Sequence, residues 1–399
     1  MHAAIALAES EETRPPLPAR RSPDKDKLRL GSSRMHMERS PRKLSRVKPE
    51  SGNVARSGHN LLQYFAGIAT THTRSRVRAS TRRTIRHIRE EPLRASGRLG
   101  KYELGPYAFE DAMPNEVRRD LMAGSEPLFV NQIGRDGKVL RQKVFPNQTA
   151  GIIPVLADLC ARQCNTTAAY LCHPSTQHIY KVRCNGNFCG YWNIQVLLSW
   201  LQAVTPEGPQ EIPNVLQIQA YIHQAWDRGL CPHGEIETGG IRNTRKWIGT
   251  LEALAFFTRI GVKVEALAFG GKDDRANYAV ADLLDHVEAY FMSGTEDAEK
   301  HGTSFVTNLP PIYFQRLGHS LTIIGLERLV DGSRNLLMFD SSFATSSSMK
   351  SLTAQRQAHT SPESLLRPYR KSDLSLTRWK EFEIIVPRAS IANGSAGGK

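Results

Sequence analysis

Past about residue 98 the chain shows alternating and periodic apolar patterns. Apolar residues recur at helical spacing in residues 116–122, 151–164, 189–204, 215–228, 246–260 and 280–292, and each stretch is predicted to be a helix. In the third, Ile194, Leu197, Leu198 and Leu201 stand at i, i+3, i+4 and i+7, the stripe of an amphipathic helix with one buried face. Ile153, Val155, Leu156 and Leu159 form a similar buried set, as do Leu216, Ile218, Ile222 and Trp226, and Trp247, Leu251, Leu254 and Phe257. Shorter runs read as strands. Residues 127–145 suggest two strands about Arg135-Asp136-Gly137, and 262–269 alternates. Residues 321–326 and 336–339 flank Asp331-Gly332-Ser333, a hairpin signal, and 382–386 continues the pairing. Residues 165–180 read as loop and strand, and 206–213, 229–243, 270–277 and 293–303 as connections. No internal repeat is visible. Helices and antiparallel hairpins in one stretch predict an α+β domain over 98–388, with a flexible Gly/Ser/Ala tail at 389–399.

Charge separates the domain from what precedes it. The first 101 residues carry 23 basic and 9 acidic side chains, so the whole net charge of +14 lies there and the remainder balances. Residues 1–97 are rich in Arg, Ser and Pro and too poor in apolar residues to offset the entropy of ordering, so a disordered basic tail is expected. Residues 61–68 are an apolar island suited to docking or a transient helix. Seven arginines from Arg74 to Arg89 suit contact with nucleic acid, an acidic partner or an import receptor, or else a solvated tail. Ser22-Pro23 and Ser40-Pro41 are weak phosphoacceptor signals. No run reaches the 18 or more apolar residues of a membrane span, and the N-terminus lacks the basic region and long core of a signal peptide. With six irregularly spaced cysteines and no disulfide framework, a cytoplasmic or nuclear protein with no membrane partner is expected.

Candidate chemistry centres on Cys189, at the predicted start of a helix between Gly186 and Gly190. Helix N-termini favour negative charge, which stabilises thiolate, while glycine on either side leaves room for another backbone to approach. From spacing alone, a small buried hydrophobe is the commoner role for a cysteine. His319 opens the first apolar run of the late hairpin and Asp340 closes the second, so both fall at its open end, although the two arms differ in length. Each alone also reads as a strand-edge or turn residue. Together the order Cys189, His319, Asp340 is the papain-like one. The imidazole takes the thiol proton, the carboxylate orients the ring, and donors are needed for the oxyanion. The Cys189 amide supplies one donor; Gln177 and Tyr180 are the side-chain candidates. Cys160, Cys164, Cys172, His173 and His178 cluster in sequence but without a CxxC pair, which argues against zinc; Cys160 and Cys164 are expected on one side of a helix. No metal or cofactor is expected.

The segments Phe188-Cys189-Gly190-Tyr191-Trp192-Asn193-Ile194-Gln195, Ala225-Trp226-Asp227, Thr244 to Thr250, Pro310-Pro311-Ile312-Tyr313, Gly318 to Gly325 and Leu336 to Asp340 together resemble the ubiquitin-fold-modifier-specific protease family of papain-like cysteine peptidases. Within it the chain looks most like the zinc-finger-bearing branch that acts on polyubiquitin, together with its fungal relatives. The resemblance implies a papain-like fold, a helix bearing the nucleophile packed on a mostly antiparallel sheet. It implies Cys189 as nucleophile, His319 as general base and Asp340 as the acid that orients it. The implied activity is removal of ubiquitin or a ubiquitin-like modifier after its C-terminal glycine, the conjugates being the partners. The alternative is a catalytically weak modifier-binding module, suggested by Trp192 where the family usually has Arg; Ser341 likewise replaces a usual Pro. No cysteine precedes Cys160, so the tail lacks the cysteine-bearing fingers of the animal branch.

Overall fold

The two apolar runs around Asp331-Gly332-Ser333 pair as expected, as strands His319–Leu329 and Arg334–Phe339. A bulge takes up one residue of the difference between their unequal arms. Ile323 faces Met338 and Gly325 faces Leu337, so Ile324 is the extra residue. Upstream of the bulge the long strand pairs with Ile312–Arg316; beyond it, with Thr166–Leu171. Gly325 sits at this exchange. A Cβ there would lie 2.2 Å from the Tyr170 carbonyl oxygen, so the neighbouring strand can approach only glycine.

The computed structural model describes residues 104–133, 137–182, 186–205, 211–270, 278–356 and 359–388, and the backbone of Arg86–His87. The expected tails at 1–97 (those two residues apart) and 389–399, the 61–68 island and most of the 206–213 and 270–277 connections lie outside these residues.

The fold is α+β. Among the described residues ten strands form one sheet, in the order Arg86–His87, Val264–Gly270, Glu381–Pro387, Ile312–Arg316, His319–Leu329, Thr166–Leu171, Ser304–Val306, Glu299–His301. Arg334–Phe339 pairs with the long strand and with Arg370–Ser372. Every pairing is antiparallel except Thr166–Leu171 with Ser304–Val306. Leu128–Ile133 and Val139–Val144 form the expected separate hairpin.

Helix Cys189–Val204 packs against the long strand and Ile312–Arg316, and against helix Val215–Trp226. It is not amphipathic as expected: all eleven residues from Gly190 to Trp200 are buried, whereas Leu201 is half-exposed. Covered on all sides, the helix needs no polar face, and its periodicity understates its burial. Val155 and Leu216 are likewise only partly buried.

Three other expectations change. Residues 229–243 contain a short helix, His233–Thr238, and 293–303 contains the strand Glu299–His301. The helix expected over 246–260 is only Thr250–Arg259. Gly249 is extended (φ −129°, ψ −152°) and its N–H donates to the Glu252 carboxylate at 2.8 Å, the reach-back bond of a capping box. Lys246 is drawn away to the end of the short helix, where its ammonium donates to the Thr238 and Gly240 carbonyls at 2.9 Å each. Residues 246–249 thereby become an extended wall. Among the described residues no helix is long and apolar enough to cross a membrane.

Candidate active site

The nucleophile helix begins at Cys189. Phe188 precedes it as N-cap without a side-chain capping bond, so the first-turn amides and the positive end of the dipole face the thiol side. Gly190 is needed for close approach: a Cβ there would lie 2.6 Å from Ile248 Cγ1 and 3.0 Å from the Ile248 carbonyl oxygen. Another backbone does approach here, as expected, whereas the space around Gly186 is open. Asn193, one turn on, holds the helix start to the sheet. Its amide donates to the Cys189 carbonyl at 2.8 Å and its oxygen accepts from the Thr322 hydroxyl at 2.8 Å. Thr322 lies three residues beyond His319 on the same strand, so one side chain ties the nucleophile's turn to the strand of the base.

The open end of the hairpin brings His319 and Asp340 together, with Nε2 of the imidazole 3.1 Å from Oδ1 of the carboxylate. That oxygen also accepts from the Ser342 N–H at 2.9 Å, which fixes the turn. The other ring nitrogen is left for the thiol, and Cys189, His319 and Ser320 line the same cleft. All three expected residues therefore meet.

Their electrostatics reinforce the geometry. Burial works to raise the Cys189 pKa, but the hydrogen bond and positive charge of His319, with help from Ser320, outweigh it and hold the thiol below its usual range. Burial works to lower the His319 pKa, yet hydrogen bonds to Asp340 and Cys189 and their negative charges push it up to about 9. Burial opposes ionisation of Asp340 too; His319 and Ser342 prevail and keep its carboxyl well below the usual range. Thiolate, imidazolium and carboxylate thus stabilise one another, the charge pattern a cysteine nucleophile uses.

Trp247, expected on a helix, instead stands in the extended wall. Its indole N–H donates to Asn187 Oδ1 at 3.3 Å, and its ring reaches the Cα side of Gly318. It thus touches the approaches to both Cys189 and His319, and together with Leu104, Ile248 and Gln315 it lines the cleft into which Cys189 opens. A segment from the N-terminal side clasps this wall from behind. The Trp247 N–H donates to the Leu104 carbonyl at 2.9 Å, and the Arg245 guanidinium lies 3.5 Å over the Tyr107 ring and bonds Glu110. These roles were not legible in the sequence: the contacts are non-local, and Trp247 read as one more core position.

The two side-chain oxyanion candidates are not among the residues lining the cleft. Gln177 is held by its N–H to the Ser199 hydroxyl, ten residues along the helix from Cys189. The Tyr180 hydroxyl donates to the Pro146 carbonyl at 2.8 Å. Nearness in sequence to Cys189 is no guide here, since neither residue lines the cleft into which Cys189 opens. The sequence cluster of cysteines and histidines is also dispersed. Cys160 and Cys172 are buried, Cys164 is exposed beyond the helix end at Ala161, and His178 packs under Asp340. Among the described residues no three His, Cys, Asp or Glu side chains are grouped to hold a metal. Trp192 is buried in the core.

A family model described as peptidase family C78 matches residues 165–385, more than half of the chain and inclusive of Cys189, His319 and Asp340. The chain belongs to peptidase family C78. It is similar to the zinc finger-containing ubiquitin peptidase 1 of Mus musculus, 31% identical over 203 residues, which are 50% of this chain and 33% of that protein. It is also similar to the ubiquitin carboxyl-terminal hydrolase mug105 of Schizosaccharomyces pombe, 32% identical over 154 residues, 36% of this chain and 57% of that one. The chain thus spans about a third of the length of the mouse relative. Among solved structures it is similar to UfSP from C. elegans, with a TM-score of 0.32 and 13% identity, over 56% of this chain and 34% of that one. The C78 segment holds the nucleophile helix, the hairpin and the Trp247 wall; the clasp at residues 104–113 lies outside it.

Proposed function

We propose that this chain is a thiol isopeptidase that hydrolyses the bond after the C-terminal glycine of ubiquitin or a ubiquitin-like modifier. The observation that carries the reading is the Cys189–His319–Asp340 constellation at the mouth of a cleft, inside a segment shared with ubiquitin peptidases. In this reading the Cys189 thiolate attacks the glycine carbonyl, and the Cys189 amide at the helix start faces the developing oxyanion. The His319 imidazolium passes its proton to the departing lysine amine, which leaves a thioester. Neutral His319 then takes a proton from water, the hydroxide displaces the thiolate, and the imidazolium is restored. Asp340 keeps the ring turned toward sulfur throughout.

The test is covalent capture by ubiquitin and ubiquitin-fold-modifier probes carrying a C-terminal electrophile. The wild type is expected to be labelled by at least one, and Cys189→Ala by neither. Labelling by a general thiol electrophile but by no modifier probe would refute this reading in favour of acyl transfer on another substrate. Trp192, the feature that suggested a weak binding module, is buried away from the cleft, so the structure adds nothing to that alternative.

For the basic tail the proposal is salt-sensitive binding to an acidic partner such as nucleic acid, with a cytoplasmic or nuclear location. Equal low-salt binding by the full chain and by a fragment starting near Leu99 would argue against it.

A further inference from the structure

One buried histidine takes no part in the chemistry above. His178 is fully buried, in a two-residue strand 162 positions before Asp340. Its Nε2 is 3.3 Å from the backbone carbonyl oxygen of Asp340, and its Nδ1 is 2.9 Å from the Thr345 hydroxyl. A carbonyl can only accept, so Nε2 carries the proton and Nδ1 accepts from Thr345. Thr345 in turn is hydrogen-bonded to Tyr369. Three residues on, the Lys181 N–H donates to the Ser341 carbonyl at 2.9 Å, a second bond from the same stretch to the same turn. The ring is walled by Phe339, Phe343, Tyr180 and Tyr369, at centroid distances of 4.8, 5.0, 5.5 and 5.9 Å.

The structure assigns to His178 the role of positioning residue for Asp340: its neutral imidazole pins the turn that aims the carboxylate at His319. The inference rests on the reading of Asp340 as the acid that orients His319. Asp340 is the first residue beyond its strand, where a carboxylate would otherwise swing with the loop; the His178 bond fixes its main chain, and the Ser342 N–H fixes its side chain. The charged groups around the ring act on it in opposite directions. Lys350, whose ammonium is 3.3 Å from the Tyr180 hydroxyl, sets a positive charge nearby, and burial keeps Tyr369 neutral. The Asp340 carboxylate acts in the opposite sense, but burial dominates and brings the His178 pKa down to about 4. A charged ring, a donor at both nitrogens, would lose the bond it accepts from Thr345.

The test titrates His319 by imidazole NMR in the full chain carrying Cys189→Ala, alone and combined with His178→Phe or His178→Gln. It needs no substrate, so it stands or falls separately from the capture experiment. With phenylalanine, which keeps the packing and removes both bonds, the His319 midpoint is expected to fall by about one pH unit, the scale of a displaced charge partner. Glutamine, whose amide nitrogen can occupy the Nε2 position, is expected to recover at least half of that shift. An unchanged midpoint in the phenylalanine variant would overturn the proposal, as would equal shifts for both substitutions. Should the phenylalanine variant not fold, Thr345→Val leaves the ring in place and removes the hydroxyl that fixes its tautomer. A His319 midpoint unmoved by that change would overturn the proposal equally.

Discussion

Replacing Asp340 with asparagine removes a charge while leaving an oxygen where His319 and the Ser342 N–H can still bond. The structure sets the size of the effect. His319 is held up to about 9 against an ordinary 6.5, a preference of about 3 kcal/mol for the charged ring. Asp340 and Cys189 share that preference. Assigning Asp340 about half to two-thirds of it lowers the His319 midpoint by about 1–2 pH units. A raised histidine pKa keeps the imidazolium populated below the folded value and loses it as pH rises through that value. The wild type should therefore show an alkaline limb in kcat/KM near 9, and Asp340→Asn a limb at about 7–8. At pH 8.5 a limb at about 7.5 leaves about a tenth of the rings charged against about three quarters in the wild type. The variant should be about eightfold slower there from titration alone, and much closer to wild type near pH 6. The assay is hydrolysis of a fluorogenic modifier C-terminal amide from pH 5 to 10. An Asp340→Asn limb that stays near 9 would refute the argument that Asp340 holds the imidazolium.

Gly190→Ala forces a methyl against Ile248 and should cost about 1–3 kcal/mol in urea denaturation; a change below about 0.5 kcal/mol would show that the wall yields freely. Asn193→Ala cuts the tie between the Cys189 turn and Thr322, and should lower kcat about tenfold with KM little changed, measured with the same fluorogenic substrate. Stability should also depend on pH through His178. Its folded pKa of about 4 lies below the ordinary 6.5, so its contribution is intact above pH 6.5 and is lost as pH falls toward 4, by up to about 3 kcal/mol. Chemical denaturation at pH 7 and pH 4.5 reads this, and in His178→Gln the pH dependence should flatten.

The triad was legible because each member carries a local signal: a cysteine at a helix start, and a histidine and an aspartate bounding one hairpin. Hairpins bring their ends together whatever the rest of the chain does, so the pairing followed from order alone, and the bulge at Ile324 only adjusted the register. What failed depends on tertiary context. Apolar spacing marks one face of the Cys189 helix, but cannot show that Asn193, Gln195 and Ser199 on its other faces are buried as well. The apolar positions of 246–260 fit a helix, yet the carbonyls left at the end of the short helix 233–238 draw Lys246 away and Gly249 starts the helix late. Gln177 and Tyr180 were picked for nearness in sequence, and their bonds to Ser199 and Pro146 face other parts of the fold. His178 stood out only as a member of the cysteine and histidine cluster, since its partners at 340 and 345 are brought to it only by the folded sheet.

The clasp of residues 104–113 on the Trp247 wall separates two boundaries that usually coincide. The C78 segment begins at residue 165, yet its cleft is backed by the Leu104 carbonyl and by Tyr107 and Glu110 around Arg245. Inherited unit and mechanical unit therefore start some sixty residues apart. Substitutions in the clasp can retune how firmly Trp247 stands beside the nucleophile while every residue of the family core stays as it is.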